Sequence, residues 1–180
     1  MKKTGVLLIL SLFMISLHAQ EEIPGPSVQS IEMFDNLYHY QHYYIAGQPS
    51  LEAFKWLHQQ GVVNVVNLRS EWEIEDFTAS SFDEASVVKG LGMQYLSVPV
   101  EGREGYSPEN LSAMAAFVDV TEPVLIHCGG AGRATHFLMA YLVKYKGYSL
   151  DEAVEVGKEM TFFLPLEPLL DAEIHMEIIE

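Results

Sequence analysis

Apolar residues recur along this 180-residue chain with two different periods. Short, nearly continuous apolar runs read as buried strands: Val62 to Leu68 (VVNVVNL), Met93 to Val100 (MQYLSVPV) and Pro123 to His127 (PVLIH). The aromatic stretch Tyr38 to Ala46 (YHYQHYYIA) is β-prone and ends at the turn Gly47-Gln48-Pro49. Between these runs lie helical patterns, each opened by a capping residue. Ser50 precedes a helix that Gly61 stops, and Ser81 precedes one with Asp83 and Glu84 in its first turn and a stop near Gly90 and Gly92. Ser107-Pro108-Glu109 opens a third, with proline at the first helical position. The run ATHFLMAYLVKY after Arg133 is helical, Ser149-Leu-Asp-Glu152 is a capping box opening another helix, and the tail from Pro168 predicts one more. Strands alternating with helices imply an α/β domain in three layers, a mostly parallel central sheet flanked by helices.

The first residues stand outside that pattern. Lys2 and Lys3 precede an apolar run from Val6 to Leu17, followed by Ala19 as a small residue for cleavage. This is the form of a secretory signal peptide, too short to anchor in a bilayer. The expected organisation is a signal peptide over 1–19, a polar and loosely ordered leader over 20–36, and a single domain over 37–180. The mature protein is then exported, periplasmic or secreted, with no membrane segment. Acidic residues outnumber basic ones 25 to 10, and loss of Lys2 and Lys3 widens the gap. Such a surface excludes nucleic acid as a partner.

The chain has one cysteine, so no intramolecular disulfide forms in an oxidising compartment. That residue, Cys128, lies in the sequence HCGGAGRAT, at the carboxyl end of a buried strand and the amino end of a helix. Ligands bind at this edge of open α/β sheets. Amides of the turn Gly129-Gly130-Ala131-Gly132 can face inward and cradle an anion, and the helix dipole adds positive potential. Arg133 supplies a planar double donor for an oxyanion. The same field favours a nucleophilic thiolate at Cys128. The glycines leave the backbone free to approach the anion.

These residues resemble the signature of the cysteine-dependent tyrosine and dual-specificity phosphatase-like superfamily. The chain is similar in particular to the phosphatase-like domain of beta-lactamase hydrolase-like proteins. The resemblance rests on Gly47-Gln48-Pro49-Ser50, on Asn67-Leu68-Arg69-Ser70-Glu71, on Val98-Pro99-Val100 and on Val124 to Arg133. It implies a phosphatase-like fold, Cys128 as the nucleophile toward a phosphomonoester or phosphoprotein, and Arg133 as the ligand of the transferred group through a cysteinyl-phosphate intermediate. No cofactor or metal is implied. The partner would be a small anionic substrate or a phosphorylated protein.

Departures keep alternatives open. Cys128 to Arg133 is a Cys-x4-Arg loop, one residue shorter than the usual phosphatase loop and equal to that of rhodanese-like sulfurtransferases, so sulfur transfer through a Cys128 persulfide is a second reading. Ala134 stands where Ser or Thr often supports the departing thiolate, and Thr135 is rotated about 100° further round the helix. Ala131 replaces a frequent glycine. A non-catalytic anion- or partner-binding module is a third reading. A phosphatase needs a leaving-group acid; Glu101, in the loop EGREGYSPE, is the candidate and Glu104 its rival. His127 and Arg69 are candidates to line the pocket, with structural roles as the competing reading. His39 and His42, spaced for opposite faces of a strand, are not expected to hold a metal.

Overall fold

A computed structural model of the chain describes residues 25–28, 33–161 and 166–172. The signal peptide expected over 1–19 lies outside the described residues, as does the end of the predicted C-terminal helix. Among the described residues, six strands form one sheet in the order β1-β2-β3-β6-β4-β5. They are β1 (Ser27–Val28), β2 (Leu37–Tyr40), β3 (Tyr43–Ala46), β4 (Asn64–Asn67), β5 (Gln94–Ser97) and β6 (Val124–His127). β1 and β2 run antiparallel to their neighbours, while β3, β6, β4 and β5 are mutually parallel. The expected three-layer α/β architecture with a mostly parallel sheet is the observed one.

The stretch Tyr38 to Ala46 is a hairpin rather than one strand. Tyr40 pairs with Tyr43, and Gln41 takes a left-handed backbone (φ 55) to make the two-residue turn. His42 therefore sits in a turn, its ring tilted against Tyr43, while His39 stacks on Tyr44. Ser27 and Val28, within the expected leader, pair with His39 and Tyr38.

Seven helices cover the sheet among the described residues: α1 (Leu51–Gln59), α2 (Glu71–Ser80), α3 (Glu84–Gly90), α4 (Pro108–Val118), α5 (Gly132–Lys146), α6 (Leu150–Lys158) and α7 (Glu167–Leu170). The caps read from sequence at Ser50, Ser107 and Ser149 each accept an amide hydrogen bond from the first turn. Ser81 does not cap a helix. It closes α2, and Asp83 caps α3 instead, accepting from Ser86 N. The difference arises because α2 buries none of its residues and so shows no core-facing stripe. Tertiary contacts at its ends hold it, together with a capping box in which Ser70 and Glu73 satisfy each other's backbone amides.

Alternation along β6 decides what each face carries. Val124, Ile126 and Cys128 join the larger core cluster beneath α4 and α5, with Leu111, Met114, Phe137 and Leu138. Leu125 joins the opposite cluster, beside Phe54 and Leu57 of α1 and Val88 of α3. A side chain one position from Cys128 therefore points to the other layer.

Candidate functional site

The carboxyl end of β6 feeds directly into the loop between Cys128 and Arg133. That loop is strapped from one side by the segment after β3. Cys128 N donates to Ala46 O (3.3 Å) and Gln48 N donates to Gly129 O (3.1 Å), while Gly47 bridges to Gly130. A Cβ on Gly47 would lie 3.1 Å from the Gly129 carbonyl oxygen, which explains the glycine in Gly47-Gln48-Pro49-Ser50. Gly129 and Gly130 are exposed at the crest. Ala131, the residue before α5, adopts a left-handed conformation (φ 71) and makes no side-chain cap. The first-turn amides of α5 have no intrahelical acceptor by geometry, and with no capping side chain they face the loop mouth, where an anion is favoured.

Cys128 is 2% exposed. Arg133 reaches across the loop mouth to Glu73 in α2. Its Nη1 donates to Glu73 Oε2 (2.6 Å) and to Val100 O (3.2 Å), and its Nη2 donates to Glu73 Oε1 (2.7 Å). Burial alone would lower the basicity of Arg133, but its hydrogen bonds to Glu73 and its interaction with Cys128 raise it. The Arg133 hydrogen bonds also hold Glu73 down, to about 2, against an opposing effect of burial and with help from Ser70. The guanidinium and a carboxylate thus form a fully ionised fork beside the thiol. A Cβ on Gly129 would lie 3.3 Å from Glu73 Oε1 and 3.4 Å from Arg133 Nη2, so this fork rests on the loop itself.

In front of the fork opens a cleft of about 230 Å³, lined by Ser70, Trp72, Glu73, Val100, Glu101, Gly102 and Arg133. Glu101 is exposed in it; Glu104 is not among its lining residues. The turn that presents Glu101 is tight. Gly105 N donates to Glu101 O (3.0 Å), and a Cβ on Gly105 would collide with the backbone of Val100 and Glu101. Asn110, in the first turn of α4, donates to Gly105 O and Pro99 O, pinning the loop to the helix that follows it. Tyr106, at the end of the same loop, is half-buried against His136 and Phe137. Burial raises its phenol, and so does its interaction with Cys128, with Arg133 opposing.

Two candidate pocket residues point elsewhere. His127 is fully buried on the opposite layer from Cys128, with Nε2 3.0 Å from Glu84 Oε1, because strand alternation turns it away from the loop. Arg69 is 4% exposed and engaged on every side: it donates to Gln48 Oε1 and Glu73 O, lies 3.9 Å from Glu84, and covers the Phe77 ring. Its ionic partner is Glu84 rather than the exposed Glu71. Thr135 is buried, donates to Ala131 O (3.1 Å) and approaches Met160, so its hydroxyl serves the helix and the core instead of Cys128.

Glu84 organises this buried layer. It accepts from Gln48 Nε2 (2.6 Å), Asn67 Nδ2 (2.8 Å) and Tyr95 OH (3.0 Å) and pairs with His127. Burial opposes its charge, but His127 and the hydrogen bonds from His127, Gln48 and Tyr95 overcome that and hold its carboxyl at about 2. The network joins Gln48 and the Asn67-Leu68-Arg69 stretch to the strand that carries Cys128. It accounts physically for why those separate sequence pieces occur together. Glu73 and Glu84 both escaped the sequence reading. Ser70-x-x-Glu73 is a capping-box spacing that could have revealed the first; Glu84, an acid in a helix's first turn, carried the signal of a solvated surface residue.

Among the described residues no group of three or more His, Cys, Asp or Glu side chains is placed to hold a metal ion. Residues 20–162 match the family described as DSP-PTPase phosphatase fused to NAD+ kinase. The chain belongs to this family. It is thereby a member of the cysteine-dependent phosphatase superfamily. Solved structures agree in fold. A candidate phosphatase from Shewanella putrefaciens CN-32 is 26% identical, with a TM-score of 0.54 over 68% of this chain and 77% of that one. TpbA of P. aeruginosa, crystallised in complex with pTyr, is 18% identical, with a TM-score of 0.55 over 73% of this chain and 76% of that one. Kinase-associated phosphatase, crystallised with serine in place of its catalytic-site cysteine, is 11% identical, with a TM-score of 0.54 over 77% and 85%. No curated protein matches the chain.

Proposed function

We propose that the protein is a thiolate-dependent phosphatase acting on phosphomonoesters, with Cys128 as nucleophile, Arg133 and the amides of residues 129 to 133 as the oxyanion ligands, and Glu101 as the leaving-group acid. The observation that carries this reading is the Arg133 fork poised over the Cys128 loop at the amino end of α5. Membership in the phosphatase family supports it.

In the first step Cys128 Sγ attacks phosphorus, the bond from phosphorus to the ester oxygen breaks, and that oxygen takes a proton from Glu101. Charge on the three equatorial oxygens falls to Arg133 and the first-turn amides, which are already oriented. In the second step water attacks the cysteinyl-phosphate, giving its proton to the Glu101 carboxylate. The sulfur–phosphorus bond breaks, releasing inorganic phosphate and restoring the thiolate. With Ala134 buried beside the loop and Thr135 bonded elsewhere, stabilisation of the departing thiolate rests on the helix amino end and Arg133.

The relatives named above are phosphatases or candidates for that activity, and none supports sulfur transfer through the short loop. The crystal complex of TpbA with pTyr supports a phosphorylated protein or small phosphoester as substrate. Export by the N-terminal segment is part of the same reading, since an acidic, single-cysteine chain behind a Lys-Lys-apolar leader fits an extracytoplasmic setting. The deciding experiment assays purified protein lacking residues 1–19 on an aryl phosphate and on thiosulfate, beside Cys128→Ser. Phosphate release abolished by Cys128→Ser is the expected result. Thiosulfate-dependent sulfur transfer without phosphate release would overturn it, and binding of phosphate without either turnover would leave a non-catalytic anion module.

A further inference from the structure

Arg69 leaves β4 at the level of the signature loop, where Leu68 N donates to His127 O (2.9 Å). The Asn67 side chain turns the backbone there, accepting from Arg69 N (2.8 Å). The guanidinium ends buried, outside the lining of the cleft, and a buried cation of this kind must find acceptors. Nη1 donates to Gln48 Oε1 and Nη2 donates to Glu73 O. Each of those two residues makes a further bond that ends on the signature loop. The Gln48 backbone N–H donates to Gly129 O (3.1 Å). The Glu73 carboxylate accepts from both terminal nitrogens of Arg133 (2.6 and 2.7 Å). Gly129 and Arg133 are the first and last residues of the anion cradle.

Charge balance alone does not account for an arginine here. Glu84 supplies a counter-charge, but at 3.9 Å from Nη1 it lies beyond hydrogen-bond reach. Its oxygens are taken by Gln48, Asn67, Tyr95 and His127. The Phe77 ring covers the guanidinium, 4.7 Å from its central carbon. Both contacts favour a cation, and a lysine would satisfy either. The two separate acceptors are what demand a planar fork. An ammonium has one nitrogen and cannot stand at both terminal positions of a guanidinium.

We infer that Arg69 is a positioning residue for phosphoryl transfer, a clamp whose two arms, through Gln48 and Glu73, set the placement of Gly129 relative to Arg133. This rests on the phosphatase reading above. Arg69 does not touch substrate; it acts through the residues that hold the cradle. As Cys128 Sγ attacks, the three equatorial oxygens flatten outward, and the amides and Arg133 must stand where those oxygens arrive. A cradle held slightly too open still attracts a tetrahedral phosphate by charge. It fits the flattened transition state less well, so the cost falls on kcat more than on KM.

The test compares the protein lacking residues 1–19 with its Arg69→Lys variant, which keeps a cation beside Glu84 and Phe77 but offers a single nitrogen. For an aryl phosphate, kcat should fall roughly tenfold or more, within the range of a misplaced catalytic group, while KM stays within about threefold. In a Glu73→Gln background the same substitution should cost clearly less, because the arm it breaks no longer ends on an ion pair. A merely structural role would lower the melting temperature and cost the same factor in both backgrounds. Protection of Cys128 from iodoacetamide reads the geometry without turnover. Vanadate, which takes up the five-coordinate geometry of phosphorus under attack, should be needed at roughly tenfold higher concentration in Arg69→Lys, and inorganic phosphate at little more than before. Unchanged kcat in the folded variant, a rise in KM in place of the fall in kcat, or full additivity with Glu73→Gln would each overturn the clamp. Should Arg69→Lys not fold, Gln48→Met, which removes the Nη1 acceptor but keeps the backbone N–H on Gly129, is read in the same way, and unchanged kcat there overturns it. The catalytic reading fails on a different result, namely absence of Cys128-dependent phosphate release from the otherwise unaltered protein, and the two protection measurements then still decide on the clamp.

Discussion

Glu73 and Arg133, 60 residues apart in the chain, meet in a two-point hydrogen-bonded ion pair of 2.6 and 2.7 Å beside the only cysteine. The pairing orients the guanidinium before any anion arrives. An arginine so fixed loses less freedom on binding a phosphoryl group than one free in solvent. Removing the carboxylate while leaving the side chain's shape should therefore cost orientation. Glu73→Gln is expected to lower kcat/KM for an aryl phosphate by about ten- to a hundredfold, the scale of a misplaced catalytic group. Because Arg133 holds Glu73 down to about 2, the pair stays ionised through ordinary working pH. The acidic limb of the pH–rate profile above pH 3 should keep its position in Glu73→Gln. A shift in that limb would mean that Glu73, and not another group, titrates there.

The loop's affinity for anions can be read through the thiol it surrounds. Iodoacetamide should label Cys128, and phosphate or vanadate should slow that labelling by occupying the cradle. Arg133→Ala should remove the protection, because charge-assisted bonds from the guanidinium are among the strongest the site offers. Equal protection in both proteins would place the bound anion somewhere other than the loop.

Glu101 stands in the cleft and Glu104 does not, which separates two acids that the sequence leaves as rivals. Glu101→Gln should slow hydrolysis of an alkyl phosphate by about 10²-fold or more, the usual scale of general-acid catalysis. A nitrophenyl ester, whose leaving group departs without a proton, should be slowed far less. If Glu104→Gln produces the selective loss instead, the acid lies three residues further along the loop.

Glu84 gives the fold an acid-sensitive joint. Its carboxyl sits at about 2 in the folded protein, below the ordinary 4.5. A lowered folded-state value means stabilisation present above pH 4.5 and lost as the pH falls from there toward 2. The shift corresponds to on the order of 3 kcal/mol. In urea denaturation between pH 7 and pH 2.5, Glu84→Gln should be less stable than the natural protein at pH 7. The gap should narrow as acid protonates the natural carboxyl. A constant gap across that range would show that the loss comes from packing and not from the charge. Since Glu84 also accepts from the side chain of Gln48, whose backbone N–H donates to Gly129 O, the same variant should relax the signature loop and reduce anion protection of Cys128.

Local patterns along the chain were enough for much of this architecture. Alternating apolar runs and helix caps identify the strands and most helices, because burial and capping act over a few residues and leave a mark on composition. Strand, Cys128, glycines, Arg133 and helix in that order also locate the anion cradle, since the backbone geometry that binds an anion is itself local. The exceptions have a common cause. α2 buries no residue, so periodicity could not display it; contacts with Arg133 and Phe82 from outside the helix hold it in place. His127 left the pocket because the strand's alternation, together with the packing of α3 on that layer, sends it to Glu84. Glu84 carried only the signal of a helix's first-turn acid and Glu73 lay in a helix the pattern did not display, until partners 43 and 60 residues away gave them a function. A charge's role depends on what faces it across space, and that is decided only when the chain closes on itself.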